Sequence, residues 1–199
     1  NLPYPLFSLS ALLPWTYFSQ SVTRAAGSLI SNRQIISKVY FPRMIIPLAG
    51  TFSGLVDFGA SFLVFLVMLA YYGMPLRVEV LLVPVFLLVA LGFALATGLW
   101  LATLSVHYRD VSFAVSFLLQ ALMYSSPVIY SASIVPPQLQ FIYNLNPMTG
   151  VIQGFRWALL GSGEAPGSVF YLSIGLLIVF LIAGAYVFRR TERTIVDVL

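Results

Sequence analysis

Cysteine is absent from this 199-residue chain, and charge is nearly so, with Asp, Glu, Lys and Arg together making up 8% of it. Without a thiol there is neither a disulfide framework nor a thiolate metal site. With one histidine, His107, and six scattered acidic residues, a metal site would have to be built from isolated carboxylates, and none is expected. A soluble domain carries about 25% charged residues, so 8% is too small a supply to cover a water-facing surface. The only lysine, Lys38, lies between Ser37 and Val39. The Gly-Lys-Ser/Thr of a phosphate-binding loop is therefore missing, and any ATP-driven work needs another polypeptide to hydrolyse the nucleotide. No serine stands in a Gly-x-Ser-x-Gly turn, which leaves an intramembrane enzyme without a marked nucleophile. No cofactor is expected.

What is present is apolar: 60% of the residues, with several of the 14 Gly and 12 Pro inside long hydrophobic runs, as transmembrane helices tolerate. About 20 apolar residues at 1.5 Å rise cross a hydrocarbon core of roughly 30 Å. Five stretches meet or approach that length: Leu6 to Val22, which is short and contains Pro14; Pro47 to Tyr72, interrupted by Asp57; Val80 to Val106, free of charge; Val111 to Tyr130; and Val169 to Phe188. The expected fold is an all-α integral membrane bundle, a single transmembrane domain over residues 1–199. The chain opens on Asn1 rather than Met, which reads as a piece of a longer polypeptide.

The net charge of +4 raises nucleic acid as a partner, but the placement of the basic residues favours membrane insertion instead, and no nucleic acid is expected. Arg24, Arg33, Lys38 and Arg43 fall between the first two spans, Arg109 beside His107 between the third and fourth, and Arg189, Arg190 and Arg193 after the fifth. These three places alternate so as to share one side, and they hold eight of the ten Lys and Arg residues. The positive-inside rule puts that side, including the C-terminus, in the cytoplasm and Asn1 to Pro5 outside.

Ser131 to Ser168 is long, moderately hydrophobic and broken by Pro136, Pro137, Pro147 and Pro166, which predicts two short helices. The second is expected to take Asn146 as its cap with Pro147 in the first turn and to end near Gly161. About 14 residues are too few to span. A spanning segment here would also force the arginine tail outside, so the pair is read as a re-entrant or interfacial hairpin on the outer face.

The basic loop, plotted at 100° per residue, places Leu29, Asn32, Ile35, Ile36, Val39 and Tyr40 on one arc of about 140°. This fits either an interfacial helix on anionic headgroups of membrane lipids or a docking element for a soluble partner. Pro42 stops any helix at Phe41. Arg109 and Asp110 fall on the same cytoplasmic face, as a solvated helix start or a second contact. Asp57 must face the bundle interior, water or a polar partner, in a structural hydrogen bond or a proton relay.

Several motifs in order carry a resemblance over essentially the whole chain. They are Pro3-Tyr4-Pro5-Leu6-Phe7, Leu13-Pro14-Trp15-Thr16, Lys38-Val39-Tyr40-Phe41-Pro42-Arg43, His107-Tyr108-Arg109-Asp110-Val111, Ser126-Pro127-Val128-Ile129-Tyr130, and Asn146-Pro147-Met148 through Gly154-Phe155-Arg156. Together they resemble the ABC-2 transporter permeases, most closely the branch that exports O-antigen and teichoic acid. The resemblance implies a six-span subunit that pairs with a second copy of itself and with two copies of a separate ABC ATPase. It also implies a coupling helix over about Ser31 to Phe41, seated in a cleft of the ATPase, which makes Arg33, Ile36, Lys38, Tyr40, Phe41 and Arg43 coupling candidates beside Arg109 and Asp110. The family's N-terminal amphipathic helix and first span have no counterpart here, as expected of a truncated sequence.

The function so implied is export of lipid-linked polysaccharide across the bacterial inner membrane. Rival readings are an ABC-2 exporter of a small molecule or drug, and an ion-coupled secondary transporter working through Asp57. Aromatic rings can guide sugar faces without holding them. Tyr124, Tyr130, Phe155, Arg156 and Trp157 around the fourth span and the hairpin are therefore candidates for the path or outer gate, against a role as interfacial belt aromatics.

Overall fold

The computed structural model describes residues 3–39, 41–108, 110–130, 135–163 and 165–192. Its first helix, α1 (Tyr4–Ser31), has Pro5 in the opening turn, where a missing N–H would have had no partner in any case. It runs for 28 residues, about 42 Å, well past the expected end at Val22 and through the first third of what reads as the basic loop. The polar residues that obscured this length are accommodated within the helix. Thr16 donates to the Leu12 carbonyl at 2.7 Å, Thr23 to Ser19 at 2.8 Å and Ser28 to Ala25 at 2.7 Å.

Seven further α-helices follow among the described residues: α2 is a single turn (Arg33–Ile36), α3 spans Ile45–Tyr71, and α4 (Val83–His107) is entered through a 3₁₀ turn at Val78–Leu82. Next come α5 (Val111–Tyr124), α6 (Pro137–Asn144), α7 (Pro147–Leu160) and α8 (Ser168–Thr191). Three segments are long and apolar enough to cross a membrane, namely Ile45–Tyr71, Val78–His107 and Ser168–Thr191. Most of their outward residues are apolar, including Val56, Leu63, Val67, Leu88, Val179 and Ile182. In water such surfaces would mark a binding or aggregation face; around a bundle of this length they are the lipid side.

α1 is the hub. It packs along α3 on one side and α4 on the other, and also meets α5 and α7. Small residues allow the close approach: a Cβ at Gly54 would lie 2.6 Å from the Ser21 hydroxyl oxygen, and one at Gly98 would lie 2.7 Å from the Ala25 Cβ. Phe18 stacks on Phe93 at 4.9 Å. A helix buried by protein on several sides needs less hydrophobicity than one bathed in lipid, which is why the weakest apolar run belongs to the central helix.

The fourth expected span, Val111 to Tyr130, is shorter than anticipated. α5 ends at Tyr124 after 14 residues, about 21 Å, less than a hydrocarbon core. Pro127 pushes Ser126 away from helical geometry, and a turn occupies Ser125–Val128.

The two short helices of the hairpin are present. The Asn146 side chain accepts from the Met148 N–H at 3.0 Å, Pro147 opens α7, and Gly161 ends it with φ +65°, in the left-handed region that suits glycine. α7 does not lie on the surface, however. Eleven of its 14 residues are buried between α1, α4 and the start of α8. A Cβ at Gly150 would meet Phe170 at 2.1 Å and one at Gly154 would meet Phe86 at 2.4 Å, so glycines fit the helix into the bundle. Of the re-entrant and interfacial alternatives, the geometry is that of the inserted helix.

Candidate functional site

At the end of the bundle where the basic residues collect, Leu29, Ile36, Leu99, Ala102, Val106 and Phe188 form a separate apolar cluster, with Phe41, Met44 and Ile46 packed on it. This cluster joins the ends of α1, α4 and α8 to α2 and the segment leading into α3. The expected helix over Ser31 to Phe41 is reduced to the single turn of α2. Asn32 breaks it from α1, its side-chain amide donating to the Ser28 carbonyl at 2.8 Å. Only part of the predicted arc therefore points inward: Ile36 is buried, whereas Ile35 and Val39 are exposed beside Arg33 and Lys38. That mixture of apolar and cationic groups fits a protein partner and anionic headgroups alike.

Arg43 has a partner that nothing in the sequence indicated. Its backbone N–H donates to the Glu192 carboxylate at 2.7 Å, and its guanidinium donates to the Glu192 backbone carbonyl. The last turn of α8 is thereby tied to the entrance of α3. Phe41 is half-buried, and Asp110 is exposed at the start of α5. Tyr40 and Arg109 lie outside the described residues.

At the opposite end, the structure brings Tyr124, Tyr130 and Arg156 together. Arg156 is buried, and its two terminal nitrogens donate to the carbonyls of Tyr130 at 3.1 Å and Val128 at 3.0 Å. The guanidinium carbon also sits 3.8 Å from the centre of the Phe7 ring. Burial lowers its pKa to about 10, which still leaves a cation at neutral pH. Tyr130 donates to the Tyr124 carbonyl at 3.0 Å and accepts from Tyr143 at 3.2 Å; the Asn146 amide donates to the Ser126 hydroxyl at 3.0 Å. The turn that ends α5 is thus pinned to α6 and α7 by one buried cation and a chain of hydroxyls and amides. Two candidates fall elsewhere. Phe155 is a core residue, edge-on to Phe58 at 6.0 Å, and Trp157 is half-buried on the main core. Asn146 was legible as a cap, whereas Ser126 was read as part of the fourth span, and their contact required the fold.

Between the two ends, Asp57 meets Arg24 of α1 at 2.5 Å. Arg24 also donates to Ser53 at 3.2 Å and to Gln20 at 3.3 Å. Placing a charge at mid-membrane costs about 2.5–3.5 kcal/mol on insertion scales, so the pairing accounts for how Asp57 is tolerated. The missing signal was the true length of α1, since an Arg read as part of a loop is not sought as an intramembrane partner. Among the described residues no group of three metal-ligating side chains exists.

The sequence profile of the ABC-2 type transporters matches residues 5–160, from the start of α1 to the end of α7. An O-antigen export system permease protein, RfbA, of Klebsiella pneumoniae is 27% identical over 201 aligned residues, covering 98% of this chain and 76% of the relative. RfbA of Myxococcus xanthus is 33% identical over 159 residues, covering 78% and 61%. The inner membrane transport permease YadH of Escherichia coli K12 is 35% identical over 96 residues, 48% of this chain and 36% of the relative. With a profile match over most of its length and a bundle of long lipid-facing helices, this multi-pass membrane chain belongs to the ABC-2 type transporter family.

Proposed function

We propose that the chain is the permease of an exporter that moves lipid-linked polysaccharide across the bacterial inner membrane, with its C-terminus in the cytoplasm. Two copies form the pathway, and two copies of a separate ABC ATPase drive it. The observation that carries the reading is the similarity to O-antigen export permeases over 98% of the chain. The absence of a phosphate-binding loop in the sequence supports a division of labour with an ATPase, which family membership implies.

The mechanism is mechanical. The ATPase binds the surface of Arg33, Ile35, Lys38 and Val39 around α2, with Phe41, Arg43 and Asp110 contributing from the same end of the bundle; Tyr40 and Arg109 join them as coupling candidates on the sequence alone. Ile36 carries its motion into the apolar cluster shared by α1, α4 and α8, and the Arg43–Glu192 contact carries it to α8 directly. At the outer end, Tyr124 and Tyr130 border the exit, with the turn pinned by Arg156 as its gate; Phe155 and Trp157 support it from the core. Export of a smaller cargo by the same machinery is the second reading. A deletion strain without a redundant exporter tests the choice. Loss of surface polysaccharide, restored by the gene, is the expected result, and normal surface polysaccharide overturns the cargo assignment.

A further inference from the structure

Over residues 16–27 of α1, every residue that is not buried is polar or glycine: Thr16, Ser19, Gln20, Thr23, Arg24 and Gly27. This stretch covers three turns, about 17 Å of helix. The neighbouring face of α3 adds Ser53, Asp57 and Ser61, all exposed, while Phe52, Val56, Leu63 and Val67 occupy a different side of the same helix. α3 therefore presents one surface suited to lipid and another that lipid would not accept.

The depth of the charges is the second observation. α3 is 27 residues long and Asp57 stands 12 residues from its first residue, within a few Å of the middle of a roughly 30 Å core. Gly50 lies level with Arg24, a Cβ there falling 3.6 Å from the Arg24 Cβ. From that level the Arg24 side chain extends about one turn further into the membrane, to the level of Gln20 and Ser53, where it meets the Asp57 carboxylate, although an arginine facing lipid would snorkel toward the nearer interface. Both partners remain half-exposed, with side-chain exposures of 38% and 56%. An open cleft of about 240 Å³ lies alongside, lined by Ser19, Gln20, Thr23 and Arg24.

We infer that this seam of α1 and α3 is a wall of the aqueous path and a contact surface for hydroxyl-rich saccharide units, an inference that rests on the export reading above. Hydroxyls, a carboxamide, a carboxylate and a guanidinium side by side exchange hydrogen bonds with sugar hydroxyls in either direction. The pairing of Arg24 with Asp57 leaves the wall without net charge. It therefore suits a neutral polymer that must slide, and gives an anionic one no fixed cation to hold it.

The absence of native cysteine makes the test direct. In membrane vesicles holding the complete transporter with its ATPase, Gln20→Cys and the lipid-side control Val67→Cys are exposed to a charged, water-soluble thiol reagent. Gln20→Cys is expected to react at least tenfold faster, and to slow several-fold in membranes from a strain that makes the lipid-linked polysaccharide relative to one that does not. Equal rates at the two positions overturn the inference, whatever the cargo. Fast reaction without slowing by polysaccharide overturns the saccharide contact. Normal surface polysaccharide in the deletion strain instead overturns the export reading and leaves the aqueous wall to stand on its labelling rate. Should Gln20→Cys fail to insert, Thr16→Cys carries the same comparison.

Discussion

Replacing Arg156 with Met isolates the part played by the buried cation at the outer end. Met keeps much of the side-chain volume and removes the two hydrogen bonds to Val128 and Tyr130 and the contact over Phe7. Hydrogen bonds from a charged donor contribute about 1.5–3 kcal/mol each. Their joint loss, about 3–6 kcal/mol, is reduced by relief from burying the charge. With about 1.4 kcal/mol for each tenfold change, a net loss of about 3–4 kcal/mol raises the opening of the Ser125–Tyr130 turn by two to three orders of magnitude. Amide hydrogen exchange of the purified transporter in lipid nanodiscs reads this locally: peptides covering 125–130 and the first turn of α7 should exchange at least 100-fold faster, with α3 and α8 unchanged. Arg156→Lys, which keeps the charge but loses the fork, should fall between. Unaltered protection of the turn in Arg156→Met would refute the idea that this cation pins it.

Other changes probe other links of the chain. Gly150→Val sets a side chain where even a Cβ would lie 2.1 Å from the Phe170 ring; overpacking of about 1–3 kcal/mol should lower the thermal stability of the detergent-solubilised protein, whereas Gly59→Val, with open space where its Cβ would sit, should not. Glu192→Ala removes the acceptor of the Arg43 N–H and should lower transport-coupled ATP hydrolysis while leaving insertion intact; Arg43→Glu should do the same and also weaken copurification with the ATPase. For topology, Gln34→Cys should react with an impermeant thiol reagent only from the cytoplasmic side and Gln138→Cys only from outside. Reaction of Gln34→Cys from outside would reverse the orientation.

Much of this architecture was readable because its signals are local. Asn146-Pro147 followed by Gly161 spells a cap, a first turn and a stop within one segment, and α7 begins and ends there. The alternation of basic residues gave the shared end at which Ile36, Val106 and Phe188 now cluster. What was misjudged depended on neighbours. The length of α1 was hidden because Thr23, Arg24 and Ser28 lower its hydropathy, and only the packing of α3 and α4 around it explains why a polar stretch stays helical. α5 was drawn six residues too long although Ser126-Pro127 was in plain view, since apolar composition was allowed to outweigh the proline. The coupling segment was given a full helix from a projection at 100° per residue, and such a projection has no meaning beyond the single turn of α2. Among the candidate residues, Tyr124, Tyr130 and Arg156 meet, but Phe155 packs in the core. The partners Arg24 for Asp57 and Glu192 for Arg43 are 33 and 149 residues away in sequence, beyond the reach of any local pattern.

The central claim is that this chain, with a separate ATPase, moves lipid-linked polysaccharide from the cytoplasmic to the outer face. Inverted inner-membrane vesicles expose the cytoplasmic face to the medium, so a lectin added outside reports the polysaccharide not yet transported. Addition of ATP should make that polysaccharide inaccessible to the lectin, in vesicles that contain both this chain and the ATPase and in no others. Lectin accessibility unchanged by ATP in vesicles holding both proteins, or lost equally when the ATPase is absent, would contradict the account.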